Sequence, residues 1–472
     1  MLKKIFSHTL IYGLAPHVSK IATIFIFPVL TANLTETDYG ISGVILSYMG
    51  LLILFETLGL RLILVNTFYH HTNHFLKRWK FIYGILKIWM VFFIVINGLL
   101  LYFIIPDLAY SNFITILFLI SIPKLLFGSE QLIFSTYHQL NQNPLQIGLR
   151  SVIFGFLGVF MTYYTIVELK MGYMGWFWAT FITNIFSGIS YWIHLKFKLK
   201  IVPIYVFKTK LIRKYLKVSL PTIPHNYSVF LLDTSDRLVM DQLNVNTDEI
   251  GEYNFAYSFA NYFSMISMAL GIAVGPILKQ KIKEKKEIEF RTIMFTLQLF
   301  FYNLTFIFCI WCKEIFSFLI NNDKLASLYP LAIILVMSYN YRPQYLTVSI
   351  RLFYKEKTSK VWRVSLVAGL INLLLNLLLI PIFGFQIAAV TTFVSLLYMG
   401  YYGFIFSDYK KIKSDLKYYP FFWLIAQIAL TIIAYFLCDS NIYLKLILCI
   451  FIFLSFIFYV LKNKTLLIDS PK

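Results

Sequence analysis

Charge is scarce in this chain. Only 14% of its 472 residues are Asp, Glu, Lys or Arg, whereas soluble proteins carry roughly 25%. Fully 59% are hydrophobic, more apolar side chain than one water-soluble core absorbs. A soluble multidomain protein is thereby excluded. Cysteine is nearly absent too: Cys309, Cys312, Cys438 and Cys449 are the four. Cys309 and Cys312 form a C-x-x-C, but it sits in an apolar run, without the polar context of a zinc or redox centre, and reads as ordinary packing. Also missing are the phosphate-binding loop of nucleotide hydrolases, the G-x-S-x-G elbow and the H-E-x-x-H zinc motif. "HHTNH" (70–74) offers His70, His71 and His74, and reads as a solvated loop. No metal or cofactor is expected.

What the chain does have is apolar runs of membrane-crossing length. About 20 apolar residues span ~30 Å of hydrocarbon as a helix. Such runs recur at roughly 7–30, 41–65, 81–105, 113–137, 147–167, 173–195, 218–241, 252–277, 292–312, 328–349, 364–382, 385–406, 420–438 and 442–461, about fourteen in all. A membrane β-barrel would show ~10-residue alternating segments, and these do not occur. The fold class is an all-α integral membrane protein. The first run is too long for a signal peptide's apolar core and contains Lys20, so it is expected to remain as the first membrane helix.

The net charge of +20 reports topology. With the N-terminus inside, the loops predicted to be cytoplasmic carry 32 Lys and Arg. Those on the far side carry Lys170, Lys313, Lys324 and Lys445. This is the positive-inside pattern. It places both termini in the cytoplasm and points away from nucleic acid as a partner. The longest basic stretch, "KFKLKIVPIYVFKTKLIRKYLK" (196–217), interleaves apolar residues with eight cations and suits an interfacial helix. It separates six helices from eight.

A loose internal repeat supports two lobes. "YGLAPHVSK" (12–20) and "VSLPTIPHNYS" (218–228) each carry a Pro-His pair, and each precedes an apolar run and a polar turn with glycine, "TETDYG" (35–40) and "TDEIGEY" (247–253). Both begin on the same side, as in parallel repeats of transporters. The expected organisation is an N-terminal lobe 1–195, a linker 196–217, a C-terminal lobe 218–406, and two extra helices with a short tail, 407–472.

Ionisable groups at membrane depth cost roughly 2.5–3.5 kcal/mol each and are functional candidates. Lys20, Arg61, Lys124, Arg237 and Arg342 read as cations lining a watery path for an anionic headgroup. Glu56, Asp233, Asp236 and Asp241 read as their charge partners or as a coupling-ion site. Lys87 is expected to snorkel to the inner surface, and Glu130 completes the set. Within "LLDTSDRLVMDQL" (231–243), Asp233, Arg237 and Asp241 fall at i, i+4 and i+8, one stripe of a helix. Arg237 is expected to face a cavity between flanking carboxylates, with Asp236 turned toward a neighbouring helix or the outer surface. The alternative is a self-neutralising structural cluster.

Three segments carry a resemblance. "YGLAPHVSKIATIFIFPVLTANLTETDYG" resembles the first helix and acidic turn of Wzx-type polysaccharide flippases, members of the multidrug/oligosaccharidyl-lipid/polysaccharide exporter superfamily. "LPTIPHNYSVFLLDTSDRLVMDQLNVNTDEIGEYNFAYSF" is similar to their central segment, with Asp236-Arg237 and Gly251-x-Tyr253 in the matching places. "LINLLLNLLLIPIFGFQIAAVTTFVS" (370–395) is similar to a third, through Asn372, Asn376, Pro381, Gly384 and Ala388-Ala389. Departures are Gln386, where the family has a small or aliphatic residue, and the extra acids Asp233 and Asp241. The resemblance implies two six-helix bundles around a central cavity, with two further helices. It implies, without enzymatic chemistry, a flippase moving undecaprenyl-diphosphate-linked oligosaccharide across the bacterial inner membrane for O-antigen or related surface polysaccharide. Membrane lipid, a polysaccharide polymerase and a chain-length regulator are the partners implied. A cation-coupled multidrug antiporter of the same superfamily and a membrane-embedded polymerase or glycosyltransferase are the competing classes.

Overall fold

A computed structural model describes residues 22–70, 74–206, 208–220, 222–355, 358–412 and 415–464, some of them by backbone alone. Helices dominate, and no strand occurs among the described residues. Nine helical segments among them are long and apolar enough to cross a membrane. Several of the fourteen apolar runs are broken into shorter helices, so unbroken spans are fewer than the runs.

The chain divides into two compact units, one of residues 1–230 with 244–251, the other of 231–243 with 252–472. In the first unit α1 (Ala22–Asn33) is followed by α2 (Glu36–Glu56), α3 (Arg61–His70), α4 (Phe75–Ile104), α5 (Phe113–Leu140), α6 (Pro144–Tyr163), α7 (Tyr173–Ile193) and α8 (Thr209–Ser219). The expected span 41–65 does not run through. Leu58 (φ 50°) and Gly59 (φ 67°) turn the chain in the left-handed region, which glycine adopts without steric cost. Arg61 then opens a separate helix.

The acidic turn "TETDYG" shows how the sequence fixes local geometry. Thr35 and Asp38 form a capping box on α2, satisfying orphan N–H groups of its first turn. Asp38 Oδ1 also accepts from the Tyr173 N–H at 2.7 Å, so one carboxylate caps α2 and α7 together. Tyr39 packs edge-on against Trp176, 5.0 Å between centroids. Gly40 lies under the second polar turn: a Cβ there would sit 1.9 Å from Thr247 O, and one on Gly251 would sit 1.9 Å from Glu36 O. Thr37 donates to Asp248 at 2.5 Å. The two repeat turns therefore interlock backbone to backbone. Gly40→Val is expected to abolish accumulation of folded protein in the membrane. Gly275→Ala, where nothing lies within 4 Å of the added methyl, should leave it intact. Detergent-solubilised yield and a size-exclusion profile measure both.

The basic linker differs from its expectation. Its second half is α-helical, but its middle is not. After a π-turn at His194–Lys198, the chain extends across α4, where Ile204 N–H donates to Lys80 O at 2.9 Å. Gly84 makes room, since a Cβ there would meet Ile204 O at 2.1 Å. In α8, Tyr215 is buried while Lys210, Arg213, Lys214 and Lys217 are exposed.

The expected seventh span breaks at Thr234, giving α9 (Thr222–Asp233) and α10 (Ser235–Gln242). The second unit continues through α11 (Thr247–Lys283), α12 (Glu287–Ile310), α13 (Cys312–Leu319), α14 (Asp323–Ala326), α15 (Tyr329–Ser338), α16 (Arg342–Tyr354), α17 (Thr358–Phe383), α18 (Ile387–Tyr401), α19 (Ser407–Ile412), α20 (Pro420–Leu437) and α21 (Ile442–Lys462). The expected tenth span is likewise two helices. Pro343 sits in the first turn of α16, where its missing N–H costs least. The last helix is inside-out by aqueous standards. Ile447, Phe451, Leu454 and Phe458 are exposed, while Lys445 is 0% exposed, bound to Glu314 Oε1 at 2.5 Å and Cys438 O at 2.6 Å. An apolar outside around a buried ion pair is the arrangement a hydrocarbon solvent selects. The four cysteines are free thiols, and Cys309 and Cys312 are buried at 0% exposure.

Candidate functional site

The second unit holds a buried carboxylate in a cage of neutral side chains. Asp236 is 0% exposed. It accepts from Tyr253 OH at 2.5 Å, Asn376 Nδ2 at 2.6 Å and Thr392 Oγ1 at 3.0 Å. Asn372 bridges Asn376 and Thr392 at 3.1 Å each, and Thr391 donates to Asn376 Oδ1. The partners come from α11, α17 and α18. All three direct partners are uncharged, so the cage satisfies hydrogen bonds and leaves the charge uncancelled by them. Three donors aimed at its two oxygens fix the carboxylate in place and stabilise its charged form.

Next to it lies an arginine and tyrosine cluster. Arg237 is 4% exposed. Its Nε donates to Asn254 Oδ1 at 3.0 Å, and its Nη1 to the backbone O of Asp233 at 2.8 Å. The guanidinium stacks 4.1 Å from the Tyr257 ring centroid and 5.5 Å from that of Tyr253. This corrects the expected stripe. Arg237 is enclosed by partners and does not face open space, and the break at Thr234 presents it with the carbonyl of Asp233 in place of the carboxylate. Arg342 and Arg237 both act electrostatically on the Asp233 carboxylate. Arg342 touches Tyr341 OH at 3.4 Å and lies over the Tyr345 ring at 5.6 Å. Its buried Nε has no hydrogen-bond partner among the described residues. Asp241 is half-buried near the end of α10.

In the first unit the ions form pairs. Lys124 meets Glu56 at 3.2 Å, one of the acids expected as charge partners, and lies 5.6 Å from the Phe93 ring centroid. Lys87 does not snorkel. Its Nζ reaches Glu130 at 2.6 Å, and Glu130, 1% exposed, also accepts from Tyr83 OH at 2.6 Å and Ser129 at 2.9 Å. Removing one member of a buried pair leaves an uncompensated charge, at a cost of about 3–5 kcal/mol. Lys87→Met should therefore destabilise by about that amount. Adding Glu130→Gln, which removes the orphaned charge, should recover more than half in thermal unfolding of the purified protein. Arg61 is exposed and donates to Gln139 at 2.7 Å, in the last turn of α5, because the turn at 57–60 carries it out of the span. Lys20 lies outside the described residues. Of "HHTNH", only the backbone of His70 and His74 are described, and no metal-holding cluster occurs among the described residues.

Sequence reasoning named Asp236 but not its cage. Asn372 and Asn376 entered only as pattern residues. Two asparagines at i and i+4 within an apolar span were the available signal, since buried amides need partners.

These features define a class: a multi-span helical membrane protein with the fold of lipid flippases and multidrug transporters. One similar structure is a lipid II flippase, MurJ, in an inward closed conformation, at 15% identity over 93% of this chain and 100% of that one, with a TM-score of 0.65. Another is an inward-facing multidrug resistance MATE family transporter of the MOP superfamily, at 12% identity over 88% and 100%, TM-score 0.61. A Vibrio cholerae MATE transporter matches at 14% over 87% and 96%, TM-score 0.55. The sequence profile of the family described as polysaccharide biosynthesis protein matches residues 1–281, and the chain belongs to that family. A comparison with curated proteins finds no match.

Proposed function

We propose that this protein is a flippase carrying an undecaprenyl-diphosphate-linked oligosaccharide repeat unit from the inner to the outer leaflet of the bacterial inner membrane, for surface polysaccharide of the O-antigen type. The observation that carries this reading is Arg342, a guanidinium with an unpartnered buried N–H, set among tyrosines and beside Asp233, in a chain of the polysaccharide biosynthesis family. Guanidinium forks bind phosphate oxygens, and tyrosine faces and hydroxyls suit sugars. Arg342 is the substrate contact, Arg237 its rigid neighbour, and Asp233 the carboxylate that phosphate displaces. Asp236 in its cage holds the coupling cation. The ion pairs Glu56–Lys124 and Lys87–Glu130 are charge-pairing elements. With the inside negative, moving about two negative charges outward is driven by the membrane potential and gains roughly 4–5 kcal/mol per 100 mV.

A multidrug antiporter would share Asp236 but favours a site dominated by acids, which Arg237 and Arg342 oppose. A polymerase or glycosyltransferase would favour a sizeable outer loop, and the longest far-side segment read from the sequence is 313–327. A polymerase and a chain-length regulator are the partners that would act on the product. The test is reconstitution in vesicles with a fluorescent lipid-linked oligosaccharide, alongside gene deletion. Protein-dependent exposure of the glycan on the opposite leaflet, and accumulation of lipid-linked intermediate in the deletion strain, are expected. Export of a cationic dye with no glycan movement would overturn the flippase reading.

Both termini and the linker are cytoplasmic in this proposal. Tyr205, 61% exposed in the linker, gives the check. Tyr205→Cys is expected to resist an impermeant thiol reagent in intact cells and to react once the cells are opened.

A further inference from the structure

We propose that the second unit carries a binding site for an anionic glycerophospholipid at the end of α17 and α18, separate from the cluster around Asp236. A cleft of about 250 Å³ opens there. Arg363, Ser407, Tyr398 and Tyr402 are its polar lining residues, and Val367 and Phe406 are among its apolar ones. The two tyrosine rings stack, 4.6 Å between centroids at 22°, and Phe406 meets Tyr402 edge-on at 5.2 Å. Arg363 is exposed, and no carboxylate among the described residues pairs with it. Lys410 and Lys411, also exposed, follow Ser407 within the next turn of α19.

The occupant follows from what continues the cleft. On α17, Val367, Leu370, Leu374, Leu378 and Ile382 are 38%, 42%, 57%, 64% and 70% exposed. They recur every three or four residues from Arg363, one face of a helix. That stripe is purely aliphatic and runs 19 residues from Arg363 to Ile382, about 28 Å at 1.5 Å per residue, close to the ~30 Å hydrocarbon thickness. An aliphatic stripe of bilayer length, with an unpaired arginine, a serine and paired tyrosines at one end, matches a lipid: chains along the stripe and phosphate at the guanidinium. Tyrosine is the side chain that settles at the headgroup level. Arg363, Lys410 and Lys411 outnumber Asp408, the one acid of 407–412, and this positive balance favours a net-negative headgroup over a zwitterionic one. On the orientation proposed above, this end faces the inner leaflet, where anionic lipid attracts basic groups.

The experiment is native mass spectrometry of the full-length protein in detergent, titrated with phosphatidylglycerol and, separately, phosphatidylcholine. Phosphatidylglycerol is expected to bind more tightly, and Arg363→Ala to weaken it about fivefold, the attraction of one basic side chain at an anionic surface. Phosphatidylcholine binding should change little, and Arg363→Lys should restore most of the loss. Val367→Trp, which fills the cleft and leaves the charge, should also weaken phosphatidylglycerol. Thermal unfolding confirms that each variant is folded. Unchanged phosphatidylglycerol binding in both Arg363→Ala and Val367→Trp would overturn the proposal. So would displacement of bound phosphatidylglycerol at equimolar undecaprenyl phosphate, which would assign the cleft to the carrier lipid.

Discussion

Asp236→Ala is expected to abolish transport and to lower stability more than any other single change in the second unit. The carboxylate is 0% exposed and accepts from Tyr253, Asn376 and Thr392. Hydrogen bonds to a charged group contribute about 1.5–3 kcal/mol each, and truncation leaves three buried donors facing a void. Asp236→Asn separates structure from charge. The amide keeps the shape and one acceptor but cannot hold a cation, so folded protein should persist while transport falls by about tenfold or more, the factor that 1.4 kcal/mol gives. Transport by purified variants in vesicles, at several concentrations of sodium and several pH values, measures this. If Asp236→Asn transports normally and keeps its ion dependence, the cage is structural and the coupling site lies elsewhere.

Arg237→Lys is expected to be the next most damaging conservative change. Lysine keeps the charge but loses the plane that stacks on Tyr257 at 4.1 Å and the fork that reaches Asn254 and Asp233 O together. Stacking contributes about 0.5–2 kcal/mol and the two hydrogen bonds a similar amount each, so a loss of roughly tenfold or more in transport follows. Arg342→Gln should also impair transport, with a smaller loss of stability, because among the described residues Arg342 makes one side-chain hydrogen bond, to Tyr341 OH, and acts on Asp233 through charge. The distinction lies in the paired readout. Arg237→Lys lowers melting temperature and rate together, whereas Arg342→Gln lowers rate far more than melting temperature. Equal melting temperatures for wild type and Arg237→Lys would show that the stack is dispensable to the fold. Asp236 is the hub of a three-helix network, while Arg237 braces one side of it.

Several elements were legible in advance because they depend on neighbours along the chain. Apolar runs of bilayer length made the membrane helices readable, and "TETDYG" read as a turn because Thr35 and Asp38 cap a helix within four residues. The breaks were less visible. Thr234 and the Leu58-Gly59 turn interrupt apolar stretches without a proline to mark them, so hydropathy ran straight through. The linker looked amphipathic throughout, yet Ile204 is held in extended backbone on α4, and Gly84, 120 residues earlier in the sequence, decides that.

What the amino-acid sequence determined by itself is the solvent of the fold: too little charge and too much apolar surface for water, with helices of membrane length. It also named the few ions that are candidates for membrane depth, from which the turn at 57–60 then removes Arg61. What only the tertiary structure decided is which of those ions are cancelled. Glu130 is paired by Lys87 from α4, Glu56 by Lys124 from α5, while Asp236 is held by hydrogen bonds from Tyr253 and from an asparagine and a threonine 140 and 156 residues away, with Arg237 acting on it through charge. In a low-dielectric interior an ion's behaviour is set by the groups within a few ångströms. Helix packing, not sequence spacing, brings those groups there.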